Sequence, residues 1–255
     1  AEWILGITGG EPTIRKDFLN ILAYAQGRRN TTYIQTHGRQ FADIEFTKST
    51  CRFLDGALIA IHSHLESIHD EITQAPGSGK ETWQGFRNLV LDSRPFVITQ
   101  TVIVRKNYQH LLEIADAIQQ VNPTGRMSFT FPHPVAGAFS QDVTPSLTEL
   151  KPFLHALLSK WGKQIQTHYI PRCFMHPYQD AVFNVDNYGT GEYTRPGIDV
   201  LEGDWQETDY GIDAGKTKAE ECKQCVYNSS CIGVWKEYAD LYGTDELRPI
   251  IYANN

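Results

Sequence analysis

No apolar run in this 255-residue chain approaches the ~20 residues needed to cross a bilayer, which excludes a membrane-spanning helix. Basic residues are outnumbered by acidic ones, 23 to 30, and the formal net charge of −7 argues against a general affinity for phosphate backbones. Nucleic acid is therefore not an expected partner. No secretory pattern opens the chain, because Ala1 is followed almost at once by a core strand with no charged leader and no cleavage site. An initiator Met is missing as well, and the expectation is a natural amino terminus lying elsewhere. Cysteine is scarce and odd in number, five in all, and without secretory signals a disulfide framework is not expected. Long internal repeats and low-complexity tracts are also lacking. The localisation that follows is cytoplasmic.

What is present suffices for a sizeable core, and the length fits one large domain, or a domain with an appendage, such as a barrel of alternating strands and helices. The chain is organised around Trp3-Ile4-Leu5-Gly6-Ile7-Thr8-Gly9-Gly10-Glu11-Pro12-Thr13, a short apolar run that ends in two glycines, a carboxylate and a proline. It reads as a strand delivered into a turn that side chains do not crowd. There Pro12 sets the exit and Asp17 caps the next helix.

Apolar spacing then predicts a helix over 17–26, closed by Gly27 and two arginines, a strand over 31–36 and a helix over 41–54 with Phe46, Phe53 and Leu54 inward. Gly56 to Ile61 is a continuous apolar strand of the kind buried on both faces in a parallel sheet. Helices follow over 65–72 and 82–91 around a Pro76-Gly77-Ser78-Gly79 break, then a strand over 96–104, a helix over 108–121, a strand over 127–131 and a long helix over 146–166 capped near Ser146 or Thr148. Strand and helix alternate about five times, which means parallel strands joined by right-handed crossovers. Chemistry in such sheets collects at the carboxyl ends of strands. Those ends carry Gly9-Gly10-Glu11, Thr36-His37-Gly38, His62-Ser63-His64, Gln100 with Val104, and Phe131-Pro132-His133.

Beyond about Pro171 the character changes. Residues 174–217 are rich in Gly, Pro, Tyr and acidic groups, and Cys222, Cys225 and Cys231 follow in a Cys-x2-Cys-x5-Cys array. Several thiolates brought to one point suit soft metals and iron-sulfur clusters, and a ligated metal would supply the cross-link that this irregular region lacks. A short helix over 234–242 ends the pattern. The division is a core of 1–171 and an extension of 172–255. Cys51 stands alone and reads as a small buried hydrophobe, and the five tryptophans and the acidic run from Asp199 to Asp213 read as packing and surface.

Thr8-Gly9-Gly10-Glu11-Pro12-Thr13 with Arg15-Lys16-Asp17-Phe18 resembles the glycine-glycine-glutamate motif of the radical S-adenosylmethionine enzymes. Ile34-Gln35-Thr36-His37-Gly38 is similar to their next strand end, and the likeness continues through Ile61-His62-Ser63-His64, His69-Asp70 and Gly85-Phe86-Arg87-Asn88-Leu89 to Val102-Ile103-Val104. The carboxyl-terminal cysteines resemble the auxiliary-cluster extensions of SPASM or twitch type. The resemblance implies an α/β fold, a partial (β/α)6 TIM-like barrel lacking its first β/α unit, with a cluster-binding extension. It implies S-adenosylmethionine as cofactor, chelated through its methionine group to a 4Fe-4S cluster. One electron cleaves the sulfonium, and a 5′-deoxyadenosyl radical takes hydrogen from a peptide, cofactor precursor or small molecule. An electron donor such as flavodoxin or ferredoxin is the implied partner. Carried over residue by residue, Gly9, Gly10 and Glu11 would meet the methionine amino group, Thr36 and Ser63 the methionine carboxylate or the ribose, and Gln100 the ribose. Cys173, Cys222, Cys225 and Cys231 would hold an auxiliary 4Fe-4S cluster whose role, relay, substrate ligation or scaffold, stays open.

The family's Cys-x3-Cys-x2-Cys loop is absent from these residues, and Trp235 stands where SPASM sequences continue with another cysteine. His37 and Gln100 also replace the usual Asn. The expectation is that the chain is a fragment of a longer enzyme, or a relative without that cluster, and that by itself it does not cleave the cofactor. Two other readings compete. His62-x-His64, with His69, Asp70 and His133, has the spacing of a divalent site in a barrel hydrolase. A non-catalytic iron-sulfur binding module would keep the thiolates and lose the cofactor.

Overall fold

The computed structural model describes residues 4–28, 30–134, 139–181 and 215–251. Six strands form one parallel sheet in the order β1-β2-β3-β4-β5-β6: Ile4–Ile7, Thr31–Thr36, Gly56–Ala60, Phe96–Val102, Arg126–Thr130 and Ile165–His168. Helices alternate with them: α1 Phe18–Gly27, α2 Ile44–Cys51, α3 Glu66–Thr73, α4 Ser78–Asp92, α5 Leu111–Val121, α6 Leu147–Trp161 and α7 Arg172–Met175. Near the end, β7 (Lys216–Thr217) and β8 (Val234–Trp235) make a two-stranded antiparallel ribbon ahead of α8, Lys236–Tyr242. The parallel strands expected from the alternation are present, and so is the partial TIM-like barrel that the family resemblance implies.

The described chain divides into two compact units, one of 4–101 and 113–128, the other of 102–112, 129–181 and 215–251. In the first, β2 and β4 alternate, and β3 does so from Ala57 onward. Thr32, Ile34 and Thr36, then Ala57 and Ile59, then Val97, Thr99 and Thr101 are buried, while Tyr33, Leu58, Ile98 and Gln100 between them are half-exposed. This corrects the expectation that β3 is covered on both faces, since its apolar run is half-buried at Leu58 and Ala60. The buried face carries Phe18, Leu22, Phe41, Phe86 and Leu89. Helix α4 lies against the 3-10 turn Arg39–Ala42 so closely that a Cβ on Gly85 would meet the Gly38 carbonyl oxygen at 2.1 Å.

In the second unit the start of α6 shows how a helix amino terminus is satisfied. Ser146 and Glu149 form a capping box, with the Glu149 N–H donating to Ser146 Oγ at 3.1 Å and the Ser146 N–H to Glu149 Oε2 at 2.9 Å. The Leu147 N–H donates to the Tyr238 hydroxyl at 2.6 Å and the Thr148 N–H to Glu246 at 2.9 Å, so α8 and the loop after it supply partners to donors that lack them within the helix. Arg105 grips the same Glu149 with two nitrogens at 3.2 and 3.1 Å, which pushes that carboxyl down to about 2.

Several boundaries differ from expectation. Asp17 precedes α1 but does not cap it with its side chain, because its carboxylate is held by Arg15 at 2.9 and 2.8 Å. The helix expected over 41–54 is a 3-10 turn followed by the shorter α2. Its inward face is Thr47, Thr50 and Cys51, while Phe46 and Phe53 are half-exposed. The Thr47 hydroxyl is satisfied by the carbonyls of Phe41 and Asp43 at 2.8 and 3.0 Å, so a polar side chain serves in the core. Helix α4 begins at Ser78 rather than at 82, since Asp70 takes the N–H groups of Gly77 and Gly79 and the Ser78 hydroxyl. The long helix over 146–166 ends at Trp161, and Ile165 and Gln166 open a sixth strand. The acidic run 199–213 lies outside the described residues.

Candidate cofactor cleft and cysteine recess

Strand β1 is followed by Thr8, and Gly9 turns the chain with φ +131°, a value side-chain-bearing residues rarely adopt. No atom lies within 4 Å of where a Cβ would stand on either Gly9 or Gly10, so bare main chain faces open space. A cleft of about 260 Å³ opens there, at the carboxyl ends of β1 to β4, lined by Thr8, Gly9, Gly10, Glu11, Gln35, Thr36, His37, Leu58, Ala60 and Gln100. Five of the six residues expected at the cofactor, Gly9, Gly10, Glu11, Thr36 and Gln100, thus border one space.

Ser63 does not. It is fully buried, its hydroxyl accepts the Leu65 N–H at 3.1 Å, and its carbonyl takes the Trp83 indole N–H at 3.0 Å. Three residues not foreseen as ligands, Thr8, Gln35 and His37, line the cleft instead, and the signal that could have found them is their place at strand ends.

Glu11 is tied down within the protein. Its Oε1 accepts the Thr13 N–H at 3.1 Å, the Thr13 hydroxyl at 2.5 Å and the Thr36 hydroxyl at 2.8 Å, and its Oε2 accepts the His37 N–H at 2.8 Å. One carboxylate therefore joins the turn after β1 to the tip of β2, and only Oε2 keeps acceptor capacity. The Thr36 hydroxyl, donating to Glu11 and accepting the Gly38 N–H at 3.0 Å, is likewise engaged.

The histidines of the hydrolase reading do not assemble. The His69 Nδ1 accepts the His62 N–H at 3.2 Å, the two rings lie 5.5 Å apart, and burial pushes both imidazoles down to about 4, so they are neutral at pH 7. Asp70 is used at the start of α4, and His133 packs on Trp235 and Tyr169 at 4.7 and 5.6 Å. Among the described residues no group of three or more His, Cys, Asp or Glu side chains converges as the ligands of one metal ion must.

Four of the five cysteines border a second space. Cys173 on α7, Cys222 in the 3-10 turn Glu220–Gln224, Cys225 just after it and Cys231 line one small recess of about 20 Å³ with Arg172, Lys218 and Arg248. All four are free thiols, and Cys225 Sγ accepts the Ile250 N–H at 3.4 Å. Burial first, then the neighbouring sulfurs, push Cys173 up to about 11 and raise Cys222. The thiols of Cys173 and Cys222 are therefore protonated at pH 7. Cys51, solitary and buried at the end of α2, is pushed up to about 12 by burial and is inert packing, as expected.

The fold has solved counterparts. Streptococcus suis SuiB bound to S-adenosylmethionine superposes with a TM-score of 0.58 at 14% identity, covering 92% of this chain and 62% of that one. A domain of the pyruvate-formate lyase-activating enzyme from Bacteroides vulgatus gives 0.52 at 16%, covering 64% of this chain and 98% of that domain. The enzyme anSMEcpe, with bound AdoMet and Cp18Cys peptide, gives 0.53 at 14%, covering 64% and 47%. These neighbours are radical S-adenosylmethionine enzymes. The fold is theirs. Identities of 14–16% establish architecture alone, and against another SuiB structure the chain spans 36% of that protein's length. No protein-family model matches the sequence, and no curated protein matches it in sequence. Among the described residues no helix is long and apolar enough to cross a membrane.

Proposed function

We propose that this chain carries the core of a radical S-adenosylmethionine enzyme, residues 1–171, with an auxiliary iron-sulfur extension over 172–255. The observation that carries the reading is the strand-tip cleft, where unshielded main chain at Gly9 and Gly10 adjoins Glu11, Thr36 and Gln100 in a fold shared with proteins solved with S-adenosylmethionine bound. The residues fit the group. Main-chain carbonyls and the free lone pair of Glu11 Oε2 suit an ammonium, while Thr8, Gln35 and Gln100 suit sugar and carboxylate oxygens. When bound and reduced, the cofactor supplies a carbon radical for hydrogen abstraction. The chain's own part is to bind it, to orient it and to keep the turn after β1 in register with β2 through Glu11.

The second site is proposed to hold an auxiliary 4Fe-4S cluster on Cys173, Cys222, Cys225 and Cys231. A polynuclear cluster offers each thiolate its own iron, so its ligands surround a volume rather than converge on a point. Arg172, Lys218 and Arg248 around the recess are suited to the negative charge of four thiolates. At about 20 Å³ the recess is smaller than a four-iron cluster, so its lining would have to move apart on loading. No Cys-x3-Cys-x2-Cys occurs in these 255 residues, so the chain alone is not expected to cleave the cofactor.

The precursor peptide bound by SuiB and the peptide bound by anSMEcpe favour a peptide substrate, and the reading implies a cytoplasmic setting and a flavodoxin- or ferredoxin-type donor. Anaerobic reconstitution with iron and sulfide tests the second site. Four irons per chain, a visible charge-transfer band and their loss in Cys173→Ala are expected. A colourless protein that retains one zinc contradicts the cluster.

A further inference from the structure

His37 is pinned at three of its four polar atoms. Its N–H donates to Glu11 Oε2 at 2.8 Å, its carbonyl accepts the Thr82 hydroxyl at 2.8 Å, and its ring Nδ1 accepts the Arg39 N–H at 3.2 Å. Because Nδ1 receives a hydrogen bond, the proton of the neutral ring resides on Nε2. The approach of Nδ1 to Glu11 Oε2, 3.4 Å, is therefore a contact between two acceptors and not an ion pair. Burial lowers the imidazole below its ordinary range, against the raising effect of Glu11, which keeps the ring neutral at pH 7. Nε2–H is then a fixed donor on a half-exposed side chain that lines the cleft. The guanidinium closest in sequence, Arg39, is neutralised by Glu81 at 2.5 Å, so it does not compete for an anion there.

We propose that His37 Nε2–H holds the carboxylate of an α-amino-acid group whose ammonium lies against Glu11 Oε2 and the carbonyls of Gly9 and Gly10. The geometry of the ring carries this. The Nδ1 edge of the imidazole stands 3.4 Å from Glu11 Oε2, and Nε2 lies across the same ring, so acceptor and donor are about one ring width apart. An α-amino acid carries its ammonium and carboxylate on the same carbon and spans a similar distance. A sugar hydroxyl pair does not need that alternation of acceptor and donor. The protonated Nε2 also removes His37 from the list of metal ligands, since its lone pair is absent.

The inference rests on the reading that the cleft takes S-adenosylmethionine, and its test separates the two. The full chain, its His37→Phe variant, which keeps a ring and loses the donor, and His37→Gln, which restores an N–H at similar reach, are titrated with S-adenosylmethionine and with its decarboxylated analogue. The bonds to Glu11 and Thr82 use main-chain atoms of His37, so both variants retain them, and thermal melting checks that they fold. The expected result is a loss of ten-fold or more for S-adenosylmethionine in His37→Phe, partial recovery in His37→Gln, and no change for the decarboxylated analogue. An equal loss for both ligands, or no loss for either, overturns the assignment. A wild-type chain that binds neither ligand overturns the cleft reading itself. Nitrogen-proton correlation of the imidazole in the free protein is the second measurement: a proton on Nε2 at pH 7 is expected, and a proton on Nδ1 removes the donor and with it the proposal.

Discussion

Glu11 shows how one carboxylate can set the shape of a site while most of its lone pairs are spent within the protein. Four donors from Thr13, Thr36 and His37 converge on it, and its side chain is 8% exposed. In Glu11→Gln one acceptor becomes a donor that faces another donor, and a loss of about 1–3 kcal/mol in chemical denaturation is expected. A stability unchanged within error would mean that the tie is not made. At the buried histidines the prediction concerns pH. Burial holds His69 at about 4, below its unfolded value of about 6.5, so between those values the unfolded chain binds more protons than the folded one. Stability therefore falls as pH drops from 6.5 to 4, by on the order of 2 kcal/mol from this group. Melting curves of His69→Asn should show a shallower slope in that window, and an identical slope would contradict the assignment.

At the scale of elements, close approach rather than propensity places α4. Gly85 admits the Gly38 carbonyl at a distance no Cβ allows, and a Cβ on Gly38, whose φ is +80°, would in turn meet Ile59 Cδ1 at 2.3 Å. Both glycines lie beside the residues that end β2, so the helix and the cleft share a support. Gly85→Ala is expected to cost about 1–3 kcal/mol and to disturb His37, whose carbonyl is held by Thr82 of the same helix. Denaturation together with the His37 ring resonances checks this. A variant as stable as the parent would show that the backbones separate without cost. Helix α6 is held differently, by the Ser146 box and by Tyr238 and Glu246, which contribute from far along the chain. Those distant partners are invisible to local sequence reasoning, whereas the Ser146-x-x-Glu149 box is not.

For the whole molecule, the alternation of strands and helices was legible because each strand carries its own pattern. Thr31–Thr36 was bounded to the residue since its apolar positions and the flanking Asn30 and His37-Gly38 agree. The sixth strand was missed because Ile165–His168 is four residues long and its apolar members continue the spacing of α6 across a turn without proline. Phe46 and Phe53 were placed inward on hydrophobicity, and the buried threonines that replaced them were chosen by hydrogen bonds that the sequence does not display. The place of the glycines, Glu11, Thr36 and Gln100 at strand ends was legible, and these residues border one cleft. Ser63 lies away from that space with its hydroxyl turned to the Leu65 N–H, a bond that nothing local in the sequence displays. The grouping of Cys222, Cys225 and Cys231 was readable from spacing, Cys173 was joined to them through the family resemblance, and the cations around them were not legible.

The central claim, that the strand-tip cleft is a cofactor site, is tested most directly by calorimetric titration of the purified chain with S-adenosylmethionine under anaerobic conditions. The account predicts saturable binding at one site per chain that is weakened at least ten-fold when Gly10 is replaced by Val, which fills the open face beside Glu11. The absence of saturable binding, or binding that is indifferent to that substitution, would contradict it.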